Sequence, residues 1–388
     1  EGGRRTDFQN GYIVWTKANG AKEFSSNTEP LDLLKDKDVR DLAGTLFRRD
    51  HALDRSDVLE IFRQVEKDGR VSDEELQDLK TLVAFGRILA MPDYVRLLAS
   101  KVVFGDPANG HYLGAELGSL EADSEAAKLE SLVKKWFLGM DHPATGKSGV
   151  SYQLVEGSLF GKGVNYRDVE QGTTGDCYYL ASLAEIALRN PNVIRQMFVD
   201  NGDDTYTVLF QHDGGFDCVT VDRYLPIDAK RHFLFADVKH DPKDPNLKLW
   251  VPLAEKAYAQ LAESGWLHAK AENSYTAVGS SGNPGWATQV VSGGNAMIRQ
   301  SLDFDAVVRA YQAGNELTFT SKPTKADTEK NKVVVKHCYA VMSVDIKERT
   351  VTLFNPWGVQ SRPEFPGELT LSWSQIQESF VNWNNVTR

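Results

Sequence analysis

The sequence predicts an α+β protein with more than one domain, in which helices come first and antiparallel strands come last. Three observations lead to this prediction. Apolar residues recur at helical spacing from Leu31 to about Leu98, a glycine-containing turn opens another amphipathic helix near Cys177, and residues 333–354 alternate as strands do. At 388 residues the chain is also longer than a single ordinary core requires.

The composition is that of a folded globular protein and disfavours several classes. Hydrophobic residues make up 41% of the chain and charged residues 25%. A net charge of −10 disfavours nucleic acid or an anionic membrane surface as a partner, and no apolar run is long enough to predict a membrane span. The three cysteines, Cys177, Cys218 and Cys338, match neither a disulfide framework nor a metal-binding spacing.

The N-terminus carries neither an initiator Met nor a signal sequence, which predicts a fragment or a processed form. The compartment is therefore left open between secreted and cytoplasmic. Residues 1–30 are predicted to be a leader with a short β-hairpin turning at Asn19–Gly20. The pattern from Phe8 to Trp15 resembles the end of a bacterial LGFP-type repeat, which favours a bacterial-type protein.

Residues 31–144 are predicted to be a helical region. Its helices at Val58–Val65 and Leu76–Val83 flank a loop, Gln64–Glu75, that can be aligned with a calcium-binding EF-hand loop. Gln64 stands where the first carboxylate is wanted, which favours a structural helix pair. The region is interpreted as a pro-segment or a regulatory segment that acts within the molecule.

Residues 145–282 and 283–388 are predicted to be two further lobes. The boundary is placed in the glycine- and serine-rich stretch Gly279–Gly294, which is predicted to be a flexible loop. The first lobe contains a predicted helix at Trp250–Leu261. The second lobe is predicted to be mainly β, with strands at Val333–Val335, Tyr339–Val344 and Thr350–Phe354.

Cys177 is the candidate nucleophile. Gly172 and Gly175 are expected to permit backbone conformations that other residues resist, and Asp176 is expected to cap the helix that follows. A cysteine in the first turn of a helix lies where the free N–H groups and the helix dipole favour a thiolate. The alternative is that Cys177 is a small buried hydrophobic residue, as most unpaired cysteines are.

A reactive thiol needs a base and a group that orients the base. His337 begins one predicted strand and Asn355 ends the next, and antiparallel pairing would place the two side by side. Trp357 follows at once and is expected to shield their hydrogen bond from water. For His337 alone, a hydrogen-bonded core histidine would be the more common role.

Four motifs together resemble the calpain family of papain-like cysteine proteases. In family order they are Gln171–Gly–x–x–Gly–Asp–Cys177, Trp250–x–x–Leu–x–Glu–Lys–Ala–Tyr–Ala, His337–x–Tyr–x–Val and Asn355–Pro–Trp–Gly. The resemblance covers about residues 145–388. It implies a two-lobed papain-like core that hydrolyses protein substrates, with Cys177 as nucleophile, His337 as base and Asn355 as its orienter, and with no organic cofactor.

The resemblance also implies an oxyanion-hole role for Gln171, whose alternative is a hydrogen bond that stabilises the loop. Two departures from the family pattern lie close to the site. The family reads Gly–His–Ala–Tyr where this chain has Lys336–His337–Cys338–Tyr339, and Tyr178 replaces a Trp after the nucleophile. Neither departure removes a catalytic atom, and Cys338 adds an oxidisable thiol.

Calcium activation is a further implication of the resemblance. The first-lobe calcium site would fall on the backbone carbonyls of Gly161 and Gly163 and on the carboxylates of Asp168 and Glu255. The alternative for the two acids is an ordinary ion pair or a helix-face role. The second-lobe site has no counterpart here, because the only acids near the Asn–Pro–Trp–Gly motif are Glu364 and Glu368.

Two other functions stay open at this level. The chain can be a catalytically silent calpain-like scaffold or regulatory module, which the intact Cys177, His337 and Asn355 disfavour. It can also be a transglutaminase-like acyl transferase, which uses similar chemistry but has an Asp where Asn355 stands.

Overall fold

The computed structural model describes residues 4–8, 11–16, 20–25, 30–236, 240–280 and 282–387. By its internal contacts the chain divides into two compact units, Glu1–His142 with Cys218–Asp222, and Pro143–Asp217 with Arg223–Arg388. The finer division expected at residues 30, 144 and 282 stays a prediction. Within the described ranges, every helix is too short or too polar to cross a lipid bilayer.

The first unit opens with a small antiparallel sheet instead of one hairpin. Its strands Arg4–Phe8, Gly11–Thr16 and Gly20–Ser25 pair in chain order. Asn19, half of the expected turn, lies outside the described residues. The expected hairpin is therefore extended by one strand at its N-terminal side.

Helices build the rest of the first unit, as the spacing of its apolar residues predicts. Short two-residue ladders join Arg70–Val71 to Ser124–Glu125 and His111–Tyr112 to Ala115–Glu116. The α-helices are Lys37–Asp50, Arg55–Glu66, Asp73–Ala84, Asp93–Val103 and Ala126–Trp136, and 3-10 turns occur at Pro30–Leu33 and Pro107–Gly110.

The loop aligned with an EF-hand uses its last carboxylate to begin a helix. Glu75 accepts hydrogen bonds from the backbone N–H and the hydroxyl of Ser72, both at 2.8 Å, and Ser72 in turn caps the helix through the Glu75 N–H. This reciprocal arrangement is a capping box. Glu75 therefore stabilises the start of helix Asp73–Ala84. This agrees with the structural helix pair that was expected because Gln64 replaces the first carboxylate of the loop.

One buried ion pair in the first unit gives a test of its stability. Lys135 and Asp141 are both buried, and the Lys135 ammonium donates to the Asp141 carboxylate and to the His111 carbonyl, the latter at 2.8 Å. Lys135→Ala should lower the free energy of unfolding by about 3–5 kcal/mol, because it leaves a buried carboxylate without its cation. The measurement is urea denaturation followed by far-UV circular dichroism.

Lys134 supplies the matched control, since it lies on the same helix and pairs with Glu130 at 2.7 Å while partly exposed to solvent. Lys134→Ala should cost less than about 1 kcal/mol. Equal losses for the two variants would contradict the importance given to the buried pair.

The second unit begins with a helical part that contains Cys177. Strand Val150–Leu154, which the sequence did not predict, pairs antiparallel with Tyr224–Asp228. Strand Phe198–Asp200 pairs antiparallel with Thr205–His212. Strand Gly215–Asp222 follows, and its residues from Cys218 onward are counted with the first unit. The α-helices of this part are Cys177–Arg189, Pro191–Gln196, Trp250–Leu261, Tyr275–Val278 and Pro284–Ser292.

Ser281 in the stretch Gly279–Gly294 lies outside the described residues, but from Pro284 to Ser292 the structure has a helix instead of the flexible loop that the glycines predicted. Asn283 caps this helix by accepting from the backbone N–H of Gly285 at 2.8 Å, and Pro284 suits its first position. The Ser182 hydroxyl donates to the Pro284 carbonyl at 2.8 Å. Packing against the Cys177 helix therefore orders a segment whose composition alone suggests disorder.

The rest of the second unit is a six-stranded antiparallel sheet with a buried apolar core. Phe319, Tyr339 and Trp383 are among the large side chains inside this core. Helices Phe304–Gln312 and Trp373–Ser379 contribute to the same core. In spatial order the strands are Asn295–Arg299, Phe380–Thr387, Glu316–Ser321, Cys338–Asp345, Thr350–Phe354 and Glu368–Ser372.

Val333–Val335 is not a strand, although its three β-branched residues predicted one. The Val334 N–H donates to the Tyr339 hydroxyl at 2.9 Å, and the Val334 carbonyl accepts from the Ser321 hydroxyl at 2.6 Å. Side chains thus satisfy the N–H and the carbonyl of Val334, which a strand would use in hydrogen bonds to its neighbour. The preceding loop is partly helical, with short turns at Lys325–Thr328 and Glu329–Asn331.

Helix Cys177–Arg189 is attached to the sheet through the buried carboxylate of Glu185. This carboxylate accepts the backbone N–H of Leu317 at 3.0 Å and the guanidinium Nε of Arg189 at 3.1 Å. Burial raises the pKa of Glu185 to about 7, while Arg189 opposes that rise. The helix also packs against strands Glu316–Ser321 and Cys338–Asp345, so its first residue lies near the start of the latter strand.

Candidate active site

The loop before Cys177 needs its two glycines for space and not for unusual backbone angles. Neither Gly172 nor Gly175 has a φ in the left-handed region, so the expectation about their conformations is wrong. A Cβ on Gly172 would lie 2.0 Å from the Phe235 carbonyl oxygen, and a Cβ on Gly175 would lie 2.5 Å from that of Gly279. Only glycine lets these backbones approach so closely.

Cys177 is the first residue of its helix and is half-buried. Its thiol lies close to His337 and to the thiol of Cys338, and both neighbours change its pKa. The neighbouring Cys338, together with the charge of His337, holds the pKa of the Cys177 thiol well below its ordinary value, although burial opposes this. The interaction with Cys177, together with burial, raises the pKa of Cys338. Of the two thiols, Cys177 is therefore the one that ionises more easily.

His337 and Asn355 meet as the strand pattern predicted. Strands Cys338–Asp345 and Thr350–Phe354 pair antiparallel, so the residue before the first strand lies beside the residue after the second. His337 Nε2 is 2.8 Å from Asn355 Oδ1, and both side chains are buried. An amide oxygen can only accept, which assigns the proton to Nε2 and leaves Nδ1 to exchange a proton with Cys177.

Trp357 lies beside this pair. Its indole centroid is 5.3 Å from that of the His337 ring, and its backbone N–H donates to Asn355 Oδ1 at 3.1 Å. The neighbouring Pro356 carbonyl accepts the backbone N–H of Gln171 at 2.8 Å. The Asn–Pro–Trp–Gly segment thus contacts the base, its orienter and the loop that precedes the nucleophile.

Asp176 occupies the N-cap position, yet it does not cap the helix as expected. Its side chain forms no capping hydrogen bond, because the carboxylate points into the interior, where it accepts from Gln171 Nε2 at 3.3 Å. Complete burial raises the pKa of Asp176 to about 7, and a hydrogen bond with Glu255 opposes that rise. Asp176 is therefore held among buried polar groups beneath the start of the helix.

Gln171 is held by the same cluster. Its amide nitrogen donates to the Thr174 carbonyl at 2.8 Å in addition to Asp176, so both amide protons are used within the loop. Among the described residues, none donates a hydrogen bond to its side-chain oxygen. The arrangement matches the loop-stabilising alternative, and the oxyanion role stays a prediction.

The expected calcium ligands have other partners. Asp168 Oδ1 accepts from the Lys248 ammonium at 2.7 Å, and Asp168 Oδ2 accepts from the Trp250 indole at 2.9 Å. Glu255 points towards Asp176 and accepts the backbone N–H of Ala236 at 2.9 Å. Gly161 and Gly163 do form an open loop, with φ values of 50° and 133°. The carboxylate of Asp168, which would bind the cation, is already neutralised by the Lys248 ammonium. These residues as folded therefore do not fit calcium.

The sequence did not reveal a contact that joins the loop before Cys177 to the sheet. Glu368 Oε1 accepts from the Tyr166 hydroxyl at 2.9 Å and from Arg167 Nε at 3.2 Å. About 200 residues separate the partners along the chain, and no local pattern predicts such a pairing. The pairing of Lys248 with Asp168 was missed for the same reason, because 80 residues separate the two. The position of Lys248, two residues before the Trp250 motif, was a signal that could have drawn attention to it.

Comparison with known proteins gives a family and several relatives. The calpain family of cysteine proteases matches residues 151–388. The chain is 29% identical to Calpain clp-4 of Caenorhabditis elegans over 251 residues, which cover 58% of this chain and 32% of that protein. It is 27% identical to Calpain-9 of Mus musculus over 218 residues, or 50% of this chain and 29% of that protein.

A shorter match, 35% identical over 106 residues, relates it to the Calpain-type cysteine protease DEK1 of Zea mays and covers 26% of this chain and 5% of that protein. The chain thus spans less than a third of the length of each of these relatives. The bacterial type stays a prediction. The family match covers more than half of the chain and agrees with the α+β architecture expected of a papain-like core. The four sequence motifs were therefore a correct guide, and this chain belongs to the calpain family of cysteine proteases.

Proposed function

We propose that this chain is a cysteine endopeptidase that hydrolyses peptide bonds in protein substrates through a thioester on Cys177. The observation that carries the proposal is the arrangement of Cys177 against His337, whose Nε2 is 2.8 Å from Asn355 Oδ1. The thiol lies close to the imidazole, and the imidazole is hydrogen-bonded to the amide, which supports the order of nucleophile, base and orienter that thiol catalysis needs. The regulatory role expected of residues 31–144 stays a prediction.

The proposed chemistry uses these three side chains in turn. The Cys177 thiolate attacks the scissile carbonyl carbon, and the protonated His337 gives its proton to the leaving amine as the C–N bond breaks. Neutral His337 then takes a proton from water, whose oxygen attacks the thioester and releases the acid and the thiolate. Asn355 holds the imidazole orientation during both proton transfers.

The oxyanion of the tetrahedral intermediate needs donors near Cys177. The first backbone N–H groups of a helix have no intrahelical acceptor, and the Cys177 N–H is one of them. Gln171 can join it only if its amide turns away from the Thr174 carbonyl, which accepts one of its protons at 2.8 Å. A closing movement of the loop on substrate would supply this second donor.

The first prediction tests the function itself. The full chain should degrade casein and react at Cys177 with a thiol-reactive epoxide, and Cys177→Ala should lower the cleavage rate by at least about 10³-fold because it removes the nucleophile. Cys218→Ala is the matched control, since Cys218 is a buried strand residue outside the machinery. Gel assays of casein and mass spectrometry of the labelled peptide are the measurements.

Each alternative has its own outcome in this assay. A silent module would neither cleave casein nor label selectively at Cys177. An acyl transferase would release ammonia and incorporate an added amine into casein without cutting it. Cleavage that persists in Cys177→Ala would contradict the assignment of the nucleophile.

The second prediction concerns the pH dependence of the thiol. Because Cys338 stabilises the thiolate, Cys338→Ala should raise the pKa of Cys177 and move the pH profile of its alkylation to higher pH. Rates of iodoacetamide modification at Cys177 between about pH 4 and pH 10 give the profile.

Cys338→Ser is the control because its hydroxyl can still donate to the Cys177 sulfur, so its profile should stay closer to that of the parent chain. An alanine profile identical to that of the parent chain would show that His337 alone lowers the pKa of Cys177.

Lys248 bears on whether the chain needs calcium. We infer that the Lys248 ammonium, 2.7 Å from Asp168 Oδ1, supplies the positive charge that a calcium ion would otherwise bring to this loop. The carboxylate is largely buried, which strengthens the pairing relative to one in open water. The loop is then aligned without a bound cation.

The third prediction follows from this pairing. Millimolar Ca²⁺ should change neither the melting temperature nor the casein cleavage rate of the parent chain relative to a chelator. In Lys248→Ala, Asp168 loses its cation, the melting temperature should fall, and Ca²⁺ should restore part of the loss because hard cations bind carboxylate oxygens. Differential scanning fluorimetry measures each melting temperature.

Lys248→Arg keeps the charge and should behave like the parent chain, and Lys248→Ala combined with Asp168→Asn should lose the response to Ca²⁺. If Ca²⁺ raises the melting temperature of the parent chain as much as that of Lys248→Ala, the inference about Lys248 is refuted.

A further inference from the structure

Cys338 is a second thiol close to the nucleophile. It follows the base His337 as the first residue of strand Cys338–Asp345, against which the Cys177 helix packs, and it is almost fully buried. Its thiol and that of Cys177 shift each other's pKa, and its sulfur lies 3.8 Å from the hydroxyl of Thr320 on the adjacent strand. Peptide hydrolysis as proposed above needs only the Cys177 sulfur as nucleophile. The Cys338 thiol therefore has no reaction of its own in that mechanism.

We propose that Cys177 and Cys338 form a peroxide-responsive pair, in which Cys338 converts the oxidised nucleophile into a Cys177–Cys338 disulfide. The proposal rests on the assignment of Cys177 as the reactive thiol in the proposed function. It adds a modification site, whose reagent class is a peroxide, and a reversible means of switching the protease off.

The positions of the two residues allow a disulfide with little rearrangement. Helix Cys177–Arg189 packs directly against strand Cys338–Asp345, and each cysteine is the first residue of its element. A disulfide then needs only local adjustment of these two ends to bring the sulfurs to the S–S bond length of about 2.05 Å. Element ends adjust more easily than element centres, because their backbone is less constrained.

Burial and charge assign different roles to the two sulfurs. Cys177 is half-buried and so reachable by a small oxidant, whereas Cys338 is 4% exposed. The thiolate is the form that peroxides oxidise, and the lowered pKa of Cys177 and the raised pKa of Cys338 place the thiolate on Cys177. Oxidation therefore begins at Cys177, with a protonated thiol waiting next to it.

The chemistry balances in two steps. The Cys177 thiolate attacks one peroxide oxygen, the S–O bond forms and the O–O bond breaks, and the second oxygen leaves as hydroxide and takes up a proton to become water. The Cys338 sulfur then attacks the Cys177 sulfur, the S–S bond forms, the S–O bond breaks, and the leaving hydroxide takes the Cys338 proton. Two thiols and one hydrogen peroxide thus give one disulfide and two waters.

The disulfide has two effects on the site. A Cys177 sulfur bonded to Cys338 is no longer a thiolate and cannot attack a carbonyl carbon, so cleavage stops. It also intercepts the sulfenic acid before further peroxide converts it to the sulfinic acid, which thiol reductants do not reverse. Alanine at position 338, the residue that the family pattern expects, would leave Cys177 without this protection.

The experiment treats the full chain with a small excess of hydrogen peroxide, quenches with catalase and alkylates the remaining thiols under denaturing conditions. Of the three cysteines, one should remain alkylatable, and tryptic digestion should yield a linked peptide pair containing Cys177 and Cys338. Casein cleavage should disappear with formation of the link and return to most of its initial rate after dithiothreitol.

Two variants make the test specific, each compared with its own untreated rate. In Cys338→Ala, peroxide should give sulfinic acid at Cys177, and dithiothreitol should restore at least about fivefold less activity than in the parent chain. Cys218→Ala should lose casein cleavage after peroxide and recover it after dithiothreitol as the parent chain does. Both of its remaining thiols should be in the disulfide, so neither should be alkylated.

A parent chain in which Cys177 is recovered as sulfinic acid without a linked peptide overturns the proposal, as does equal recovery in Cys338→Ala. The linked peptide is detected by mass and needs no protease activity. Failure of the proposed function therefore shows as absent casein cleavage before peroxide is added, whereas failure of this inference shows as an absent link.

Discussion

The carboxylate of Glu185 holds the two parts of the catalytic unit together, and the site depends on it. By accepting the Leu317 N–H at 3.0 Å and pairing with Arg189, it ties the second half of the Cys177 helix to the sheet. Because a helix is stiff, fixing its second half also restricts the position of its first residue. The place of Cys177 beside His337 and Cys338 therefore depends in part on a contact about two turns further along the helix.

A second buried group of polar side chains supports the start of that helix. Asp176 and Glu255 share hydrogen bonding, and Gln171 donates to Asp176, so the loop before the nucleophile rests on a cluster that excludes water. Leaving either acid charged and unpaired there would destabilise the fold, which explains why the pKa of Asp176 rises to about 7. The same cluster uses the amide protons that an oxyanion would require, so substrate binding must compete with it.

The sequence predicted the residues whose positions depend on local patterns. Cys177 begins a helix with clear periodicity, and His337 and Asn355 stand at the ends of two alternating segments, so their meeting follows from antiparallel pairing. The orientation of Asp176 and the partner of Asp168 could not be predicted in this way. Both depend on groups about 80 residues away in the chain, and the N-cap preference of Asp favoured a different role for Asp176.

The departures from the family pattern leave the proposed catalytic residues in place. Lys336 adopts a left-handed φ of 49° where the family has glycine, a conformation that costs a non-glycine residue ~1–2 kcal/mol, yet its N–H still donates to the Lys322 carbonyl at 3.1 Å. The backbone that presents His337 is thus held by neighbouring contacts and not by the residue type. Two further side chains lie close to the loop and the thiol: Lys248 pairs with Asp168 before Cys177, and Cys338 brings a second thiol to the nucleophile. The proposals for calcium and for peroxide rest on these two side chains, because one would replace the charge of a bound cation and the other would trap the oxidised nucleophile.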